Sequence, residues 1–134
     1  MGKRLLDCEW ILLNTLWGRK PQTMKQIVQS VKEQQPEIEW NYKTYHSYLR
    51  KMEEKELVHS ETRNLKDKLY SALITKDEAI QAETENILAR SSYFGSVGRL
   101  MTALAGSRKL TKEDREELAR LAQKLETEDE SGGE

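Results

Sequence analysis

The chain has 134 residues, enough for one domain or two small ones, and a composition of 34% charged and 37% hydrophobic residues with only two prolines indicates a helix-rich globular protein. No apolar stretch approaches the ~20 residues of a membrane helix. No signal-peptide core follows Met1, so we expect a cytoplasmic protein without membrane association. The single cysteine, Cys8, excludes an internal disulfide and a cysteine-rich metal site.

The charges are distributed unevenly along the chain. The formal net charge is −1, but residues 1–75 hold 13 Lys/Arg against 10 Asp/Glu, or +3, and residues 76–134 hold 9 against 13, or −4. A basic first half suits an anionic partner better than the net charge suggests.

Two helices are predicted before residue 36. Asp7 is the expected N-cap of a first helix over 7–17, and Thr23 is the expected N-cap of a second helix over 24–34. Each segment has one apolar stripe at helical spacing, and a glycine or a proline follows it.

The third predicted helix, over residues 40–55 with Asn41 as its N-cap, determines the functional prediction. Four side chains at helical spacing form its predicted buried stripe: Tyr45, Tyr48, Leu49 and Met52. Cations and small hydroxyls occupy the other side: Lys43, Thr44, His46, Ser47, Arg50 and Lys51. Since this helix follows another helix after a short turn, the pattern predicts a helix-turn-helix whose outer face enters the major groove of DNA.

A β-hairpin is predicted directly after the third helix. Residues 57–62 alternate roughly between apolar and polar side chains, residues 63–68 form a polar turn, and residues 69–74 run back as a second strand, which is typical of a hairpin. A hairpin at this place is a wing, and its cations are expected on DNA phosphates: Arg63, Lys66 and Lys68.

The second half of the chain returns to helix. Thr75 followed three residues later by Glu78 predicts a capping box. Three amphipathic segments follow within about 50 residues, too few to enclose a core of their own, so we expect two copies of the chain to pair; the alternative is that these helices pack onto the winged module of the same chain. The predicted dimer interface consists of Ile80, Ile87, Leu88, Val97, Leu100, Met101, Leu104, Leu118, Leu121 and Leu125.

The predicted fold is therefore mainly α. It is a winged helix-turn-helix, made of three helices and a β-hairpin wing, followed by a three-helix dimerisation region. The expected domains are a winged-helix DNA-binding domain at 1–75, a helical dimerisation domain at 76–126 and an acidic disordered tail at 127–134.

Enzymatic function is not expected. The sequence has no glycine-rich phosphate loop and no recognisable nucleophile–base pair, so no catalytic residue is assigned. His46, His59 and Cys8 do not form a plausible metal set, so neither a metal nor another cofactor is predicted. Two alternatives to a DNA-binding protein remain open: a winged-helix dimer that serves as a protein–protein interaction module, which the weak net charge favours, and an effector-responsive regulator.

Several motifs resemble the penicillinase-repressor family (BlaI/MecI, with the copper-responsive CopY branch) of winged-helix transcriptional repressors. The first helix matches the family pattern E-W-x-x-x-N-x-x-W, and Met24-Lys25-Gln26-Ile27-Val28 takes the place of its second-helix start. Lys43-Thr44-x-x-Ser47 is similar to the recognition-helix pattern K-T-x-x-T. Lys55-Glu56-Leu57-Val58 stands where the family has Lys-Gly and two apolar residues, and Leu110-Thr111 to Leu118 resembles its last helix.

This resemblance implies a homodimeric repressor that binds a double-stranded operator with dyad symmetry, with interlocked C-terminal helices as the dimer interface. Lys43, Thr44 and Ser47 correspond to DNA-contacting positions of the family. His46 stands where the family has arginine, and Arg50-Lys51 stands where it has Thr-Arg, so the resemblance does not predict the operator bases.

The resemblance also implies a regulatory protease, or another derepressing factor, as a partner. One branch of the family is cleaved at an Asn-Phe bond, where this chain has Ala103-Leu104, and the copper branch uses C-x-C motifs, which a chain with one cysteine lacks. The sequence therefore does not predict how repression is relieved.

Overall fold

The computed structural model describes residues 4–64 and 67–132, with side chains as far as residue 126. Its elements are α1 (Asp7–Leu13), α2 (Met24–Gln34), α3 (Tyr42–Glu54), β1 (Val58–Thr62), β2 (Lys68–Ala72), α4 (Lys76–Ala89), α5 (Ser91–Phe94), α6 (Val97–Ala105) and α7 (Lys112–Gly132). The predicted fold class, a winged helix followed by a helical region, is confirmed.

The core of the winged module is built from the apolar stripes of the first three helices and from the hairpin. Its most fully buried side chains include Leu12, Leu13, Ile27, Val31, Leu49, Met52 and Val58. Tyr45 is buried as predicted, whereas Tyr48 is half-buried. The ring of Trp40 contacts both tyrosines edge to face, at centroid distances of 5.3 Å for Tyr45 and 5.0 Å for Tyr48.

The first helix differs from its prediction at both ends. It ends at Leu13, and residues 14–18 form turns instead of the predicted last helical turn. The prediction that Asp7 caps it is wrong, because Leu6 is the N-cap and Asp7 is already helical. Leu6 has no side chain that could cap the helix. Instead, Glu9 Oε1 accepts the Leu6 N–H at 2.8 Å, which gives a partner to one backbone amide that the helix itself leaves without one.

Both caps predicted for the helix-turn-helix are confirmed. Thr23 Oγ1 accepts the Gln26 N–H at 3.2 Å, while Gln26 Oε1 accepts the Thr23 N–H at 2.8 Å. Asn41 Oδ1 accepts the Thr44 N–H at 2.9 Å. These caps set where α2 and α3 begin, and therefore which side chains lie in the first turn of each helix.

The hairpin pairs β1 and β2 antiparallel, from Val58 opposite Ala72 to Thr62 opposite Lys68. A short bridge adds a third strand segment that was not predicted. Gln22 donates its N–H to Tyr70 O at 2.9 Å and accepts the Tyr70 N–H at 2.7 Å. This bridge attaches the segment before α2 to the inner strand of the wing.

In the second half, α4 begins with the predicted capping box, in which Glu78 N–H donates to Thr75 Oγ1 at 3.0 Å. Its buried residues are the small Ala79 and Ala82, while Ile80 and Leu88 are exposed. The short α5 occupies residues where a break in the helix was predicted. Ser96 caps α6 through the Arg99 N–H, and Gly106 ends it as predicted.

The last helix begins after Thr111, which forms a capping pair with Asp114. It continues to Gly132, whereas the sequence predicted a disordered tail from residue 127. Glutamate is a good helix former, which allows the helix to extend through this acidic stretch.

The chain divides into two compact units, Met1–Asn86 and Ile87–Glu134. The first unit contains the winged module and most of α4, since the buried Ala79 belongs to the same core cluster as α1 to α3. The boundary between the two compact units, after Asn86, therefore lies about three helical turns beyond the predicted domain boundary at residue 75. Within the described ranges, no helix combines the length and apolarity needed to span a bilayer.

Candidate nucleic-acid interface

A cleft of about 500 Å³ lies between α3 and the second strand of the hairpin. Its lining is Lys43, His46, Ser47, Arg50, Glu53, Lys68 and Tyr70. Five of the nine residues predicted to contact DNA are therefore brought to one concave surface, four by the helix and one by the wing. We call this surface the basic cleft.

The helical period explains why these four helix residues share one side. Residues 43, 46, 47 and 50 are three or four positions apart, so they lie above one another along α3, away from the buried Tyr45, Leu49 and Met52. On the wing, Tyr70 is 4% exposed and fixes β2 in the core, while its neighbour Lys68 is exposed. Burial of the stripe thus fixes the helix cations on the open side of α3, and Lys68 lies on the same face of β2 as Tyr70, at the exposed end of the strand.

The cations of the basic cleft carry no acid partner among the described residues. Lys43, Arg50 and Lys68 form none of the ion pairs within 4.0 Å that these residues contain. An exposed cation without an internal partner keeps its full attraction for an external anion. The surface can therefore neutralise phosphates without first breaking internal pairs.

A second cleft adjoins the first and extends the surface to the start of α2. Its lining is Thr23, Met24, Lys25, Tyr42, His46, Asp67, Lys68 and Tyr70. The two clefts share His46, Lys68 and Tyr70, so they are continuous. The sequence-based prediction missed Lys25 and Tyr42, both exposed. The sequence did contain a signal for Lys25, because this lysine lies in the first turn of α2, where the helix dipole favours acidic residues.

The remaining predicted contact residues lie outside the clefts. Thr44 is half-buried, and its hydroxyl lies 3.1 Å from Asn41 Oδ1, where it supports the cap of α3. Lys51 is exposed on the other flank of α3. Arg63 is exposed at the hairpin turn, where its N–H donates to Asp67 O at 2.8 Å. Lys66 lies outside the described residues. The DNA contacts of all nine residues remain predictions.

One acid, Glu53, lies in the basic cleft. It is half-buried in the last turn of α3, and its Oε2 accepts a hydrogen bond from Ser60 Oγ at 2.9 Å. Burial raises the pKa of the Tyr70 hydroxyl, and the negative charge of Glu53 raises it further. Tyr70 is therefore a neutral phenol at physiological pH, in the inner wall of the cleft.

The residues of the E-W-x-x-x-N-x-x-W motif have structural rather than binding roles. Glu9 is 3% exposed and joins the start of α1 to Lys55, whose Nζ lies 2.6 Å from Glu9 Oε2. Asn14 Nδ2 donates to Trp10 O at 2.9 Å. Trp17 Nε1 donates to Ile74 O at 2.8 Å, which connects the end of the first helical segment to the residues before α4.

The residues predicted to form the dimer interface are apolar, and most of them are exposed. Seven of the ten are exposed: Ile80, Leu88, Val97, Met101, Leu104, Leu121 and Leu125. Within the second unit, a groove of about 390 Å³ is lined almost entirely by apolar side chains: Met101, Leu118, Leu121, Ala122, Lys124 and Leu125. Apolar side chains exposed in this number are typical of surfaces that bind another protein chain.

Among residues 4–64 and 67–126, no three histidine, cysteine or acidic side chains are grouped as metal ligands would be. Cys8 is half-exposed, and burial together with the adjacent charge of Glu9 raises the pKa of its thiol. A raised thiol pKa disfavours the reactive thiolate.

The family model described as Penicillinase repressor matches residues 5–124, which is 120 of the 134 residues. No curated protein matches the chain. One solved structure, that of Lactococcus lactis ZitR, wild type in complex with DNA, is similar at 22% identity and a TM-score of 0.38, covering 96% of this chain and 81% of that chain. The family match covers the winged module, α4 to α6 and most of α7, and the protein therefore belongs to the penicillinase-repressor family of DNA-binding transcriptional repressors.

Proposed function

We propose that the protein is a homodimeric repressor that binds a dyad-symmetric DNA operator through the basic cleft of each subunit. The observation that carries this proposal is the convergence of Lys43, Arg50 and Lys68 on one concave surface without acid partners among the described residues. Phosphate contacts of such cations supply affinity and register, while side chains on the first turns of a recognition helix reach base edges.

Within this proposal, the residues of α3 and of the wing have different roles. His46 and Ser47 can donate or accept hydrogen bonds and lie between Lys43 and Arg50 on the exposed face of α3, so they are the candidates for base contacts. Lys68, on the wing, is a candidate for a phosphate contact. Thr44 and Lys51, on the flank of α3, and Arg63, at the turn, would contact the backbone beside the groove.

Dimerisation is supported by the exposed apolar side chains of α4, α6 and α7. Burying them against a second copy removes them from water, at about 25 cal/mol for each Å² of apolar surface. A symmetric pair would present two copies of α3 to half-sites about one helical turn apart. We place this activity in the cytoplasm, with a derepressing factor as a further partner and without an enzymatic step.

The proposal is tested by selecting bound duplexes from a random DNA pool with the full chain. We expect an enriched site with inverted repeats. Enrichment of a single, non-repeated half-site would contradict the dimeric mode of binding, and no enrichment at all would contradict sequence-specific repression.

Variants assign the binding to the basic cleft. Lys43→Ala and Ser47→Ala should weaken operator binding while dimerisation is unchanged. Lys32→Ala, an exposed lysine in the last turn of α2 outside both clefts, is the matched control and should bind as the wild type does. Equal losses for Lys43→Ala and Lys32→Ala would show that the cleft has no special role.

A second candidate function is a protein–protein interaction module on the same fold. The net charge of −1 favours it, because a DNA-binding domain is usually basic. Salt separates the two functions: DNA binding through phosphates weakens steeply as salt concentration rises, whereas docking through apolar surfaces does not.

A further inference from the structure

Glu53 is the one acid that lines the basic cleft, and Asp67 lines the adjoining second cleft. The basic cleft has Lys43, Arg50 and Lys68 around it, and a carboxylate there repels the phosphates that these cations would attract. Glu53 is also not neutralised within the described residues, since no cation lies within 4.0 Å of its carboxylate. An acid at this place opposes DNA binding unless it has another effect that favours it.

Glu53 also contacts the wing, and this contact is an effect that would favour DNA binding. Ser60 lies on β1, half-buried, and its hydroxyl donates to Glu53 Oε2 at 2.9 Å. Ser60 is the register partner of Tyr70 on β2, two residues from Lys68. The hydrogen bond therefore connects the last turn of α3 directly to the strand pair that carries the wing cation.

The base of the hairpin is fixed against α3 by other contacts: the Leu57 N–H donates to Met52 O at 2.9 Å, and Leu57, Val58 and Tyr70 are buried in the core. Farther along the hairpin, the Glu53–Ser60 bond is the one side-chain hydrogen bond among the described residues that joins it to α3. Loss of this bond would allow the outer part of the hairpin, where Lys68 pairs with Thr62, to shift relative to α3.

We propose that Glu53 is a positioning residue for DNA binding, which holds the wing at its working distance from α3 through Ser60. This inference rests on the proposed function, and it goes beyond it by giving a role to an acid that does not itself contact DNA. The geometry needs an acceptor at position 53 and a donor at position 60, but it does not need the negative charge.

The test compares operator affinity and its salt dependence for Glu53→Gln, Glu53→Ala and Ser60→Ala. Gln keeps an amide oxygen that accepts the Ser60 hydroxyl and removes the charge, so Glu53→Gln should bind as tightly as the wild type or more tightly. Ser60→Ala should bind roughly 3- to 10-fold more weakly, the range expected for one lost hydrogen bond, and Glu53→Ala should also bind more weakly but by a smaller factor, because it removes the repulsive charge together with the bond.

The slope of log K against log salt provides a readout that reduced stability alone does not change. If the wing is displaced, Lys68 loses its phosphate, and the slope should become shallower by about 0.9 for each subunit in the Ser60→Ala protein. The double variant Glu53→Ala/Ser60→Ala should be no weaker than either single variant, because both remove the same bond. Glu54→Ala, which removes an exposed acid one residue away, is the control and should leave the slope unchanged.

Two outcomes of the affinity measurements would overturn the proposal. Tighter binding by both Glu53→Gln and Glu53→Ala, with Ser60→Ala unchanged, would reduce Glu53 to a repulsive charge and overturn the proposal. Weaker binding with an unchanged salt slope would also overturn it.

A measurement without DNA separates this inference from the proposed function. Amide hydrogen exchange of the hairpin in the free protein should be faster in Ser60→Ala and Glu53→Ala but not in Glu53→Gln. If the wild type bound no duplex, the proposed function would fail while this exchange pattern could still be observed. Equal exchange in all four proteins would overturn the positioning role even if the operator is bound.

Discussion

At the scale of single residues, Glu56 has a backbone conformation that its side chain disfavours. Its φ is +61°, in the left-handed region, where the clash of Cβ with the backbone costs about 1 kcal/mol. The position ends the turn between α3 and β1, and it is the position at which the family pattern has glycine. The strain is therefore located in the connection that sets the wing against α3.

Glu56→Gly should raise the free energy of unfolding by about 1 kcal/mol, because glycine adopts a positive φ without a steric penalty. Glu54→Gly is the matched control. Glu54 is the last residue of α3, where glycine should lower the free energy of unfolding slightly, by no more than about 0.5 kcal/mol. Urea unfolding measures both, and changes of the same sign would contradict the argument.

The buried carboxylate of Glu9 depends on Lys55 for its charge balance. Lys55→Ala would leave Glu9 with only the Leu6 N–H as a described partner, at a site that is 3% exposed. We expect a loss of about 1–2 kcal/mol in the free energy of unfolding, less than for a fully buried pair because the Lys55 side chain is 40% exposed.

Lys51→Ala, one turn earlier on α3 and exposed without a described acid partner, controls for the loss of a lysine. It should change stability by less than about 0.5 kcal/mol. Chemical denaturation distinguishes the two variants, and equal effects would show that the Glu9–Lys55 pair contributes nothing of its own.

At the scale of elements, the positions of α2 and α3 follow from local sequence. The apolar stripes at helical spacing and the caps Thr23 and Asn41 predicted both helices to within a residue or two, because a cap and a periodic stripe are local signals. The same signals placed Lys43, His46, Ser47 and Arg50 on one face of α3, so most of the basic cleft was predictable.

Elements that depend on long-range contacts were not predictable in this way. The bridge between Gln22 and Tyr70 joins residues 48 positions apart, and no local pattern indicates it. The buried side of α4 carries alanines, since its close packing needs small residues, whereas a search for large apolar side chains selected Ile80 and Leu88, which are exposed. Tyr42 was missed because it reaches the second cleft only through its position in space, whereas Lys25 had a local signal, a lysine in the first turn of α2, that the prediction did not use.

Asn41→Ala should lower the free energy of unfolding by about 1 kcal/mol, because it removes the acceptor of the Thr44 N–H at the start of α3. Operator affinity should fall as well, since Lys43 lies in the turn that would fray. Asn41→Ser retains a capping oxygen and should restore both quantities. Thermal unfolding and a binding titration on the same samples provide the check, and affinity unchanged in Asn41→Ala would exclude a role of the cap in binding.

At the scale of the whole molecule, the apolar surface of α6 and α7 is the feature that a single chain leaves unburied. Leu121 and Leu125 are 52% and 67% exposed, and they line the same groove as Met101. Whether two copies cover this surface decides whether each operator is bound by one basic cleft or by two.

Leu121→Asp should dissociate the proposed dimer and lower operator affinity as a consequence, because a carboxylate would be buried in the apolar interface that we propose. Leu73→Asp places the same charge on a leucine of the first unit that is equally exposed, at 55%, and should leave the dimer intact. Sedimentation equilibrium measures the association state of both. A Leu121→Asp protein that remains dimeric would place the interface elsewhere.

The most direct test of the central claim is the salt dependence of operator binding by the wild-type chain. Two basic cleft surfaces, each placing Lys43, Arg50 and Lys68 on phosphates, predict a slope of log K against log salt of roughly −5 or steeper, from about −0.9 for each of six contacts, and contacts of Lys51 and Arg63 would add to it. A slope near zero would contradict the account, because the cations of the cleft would then take no part in binding.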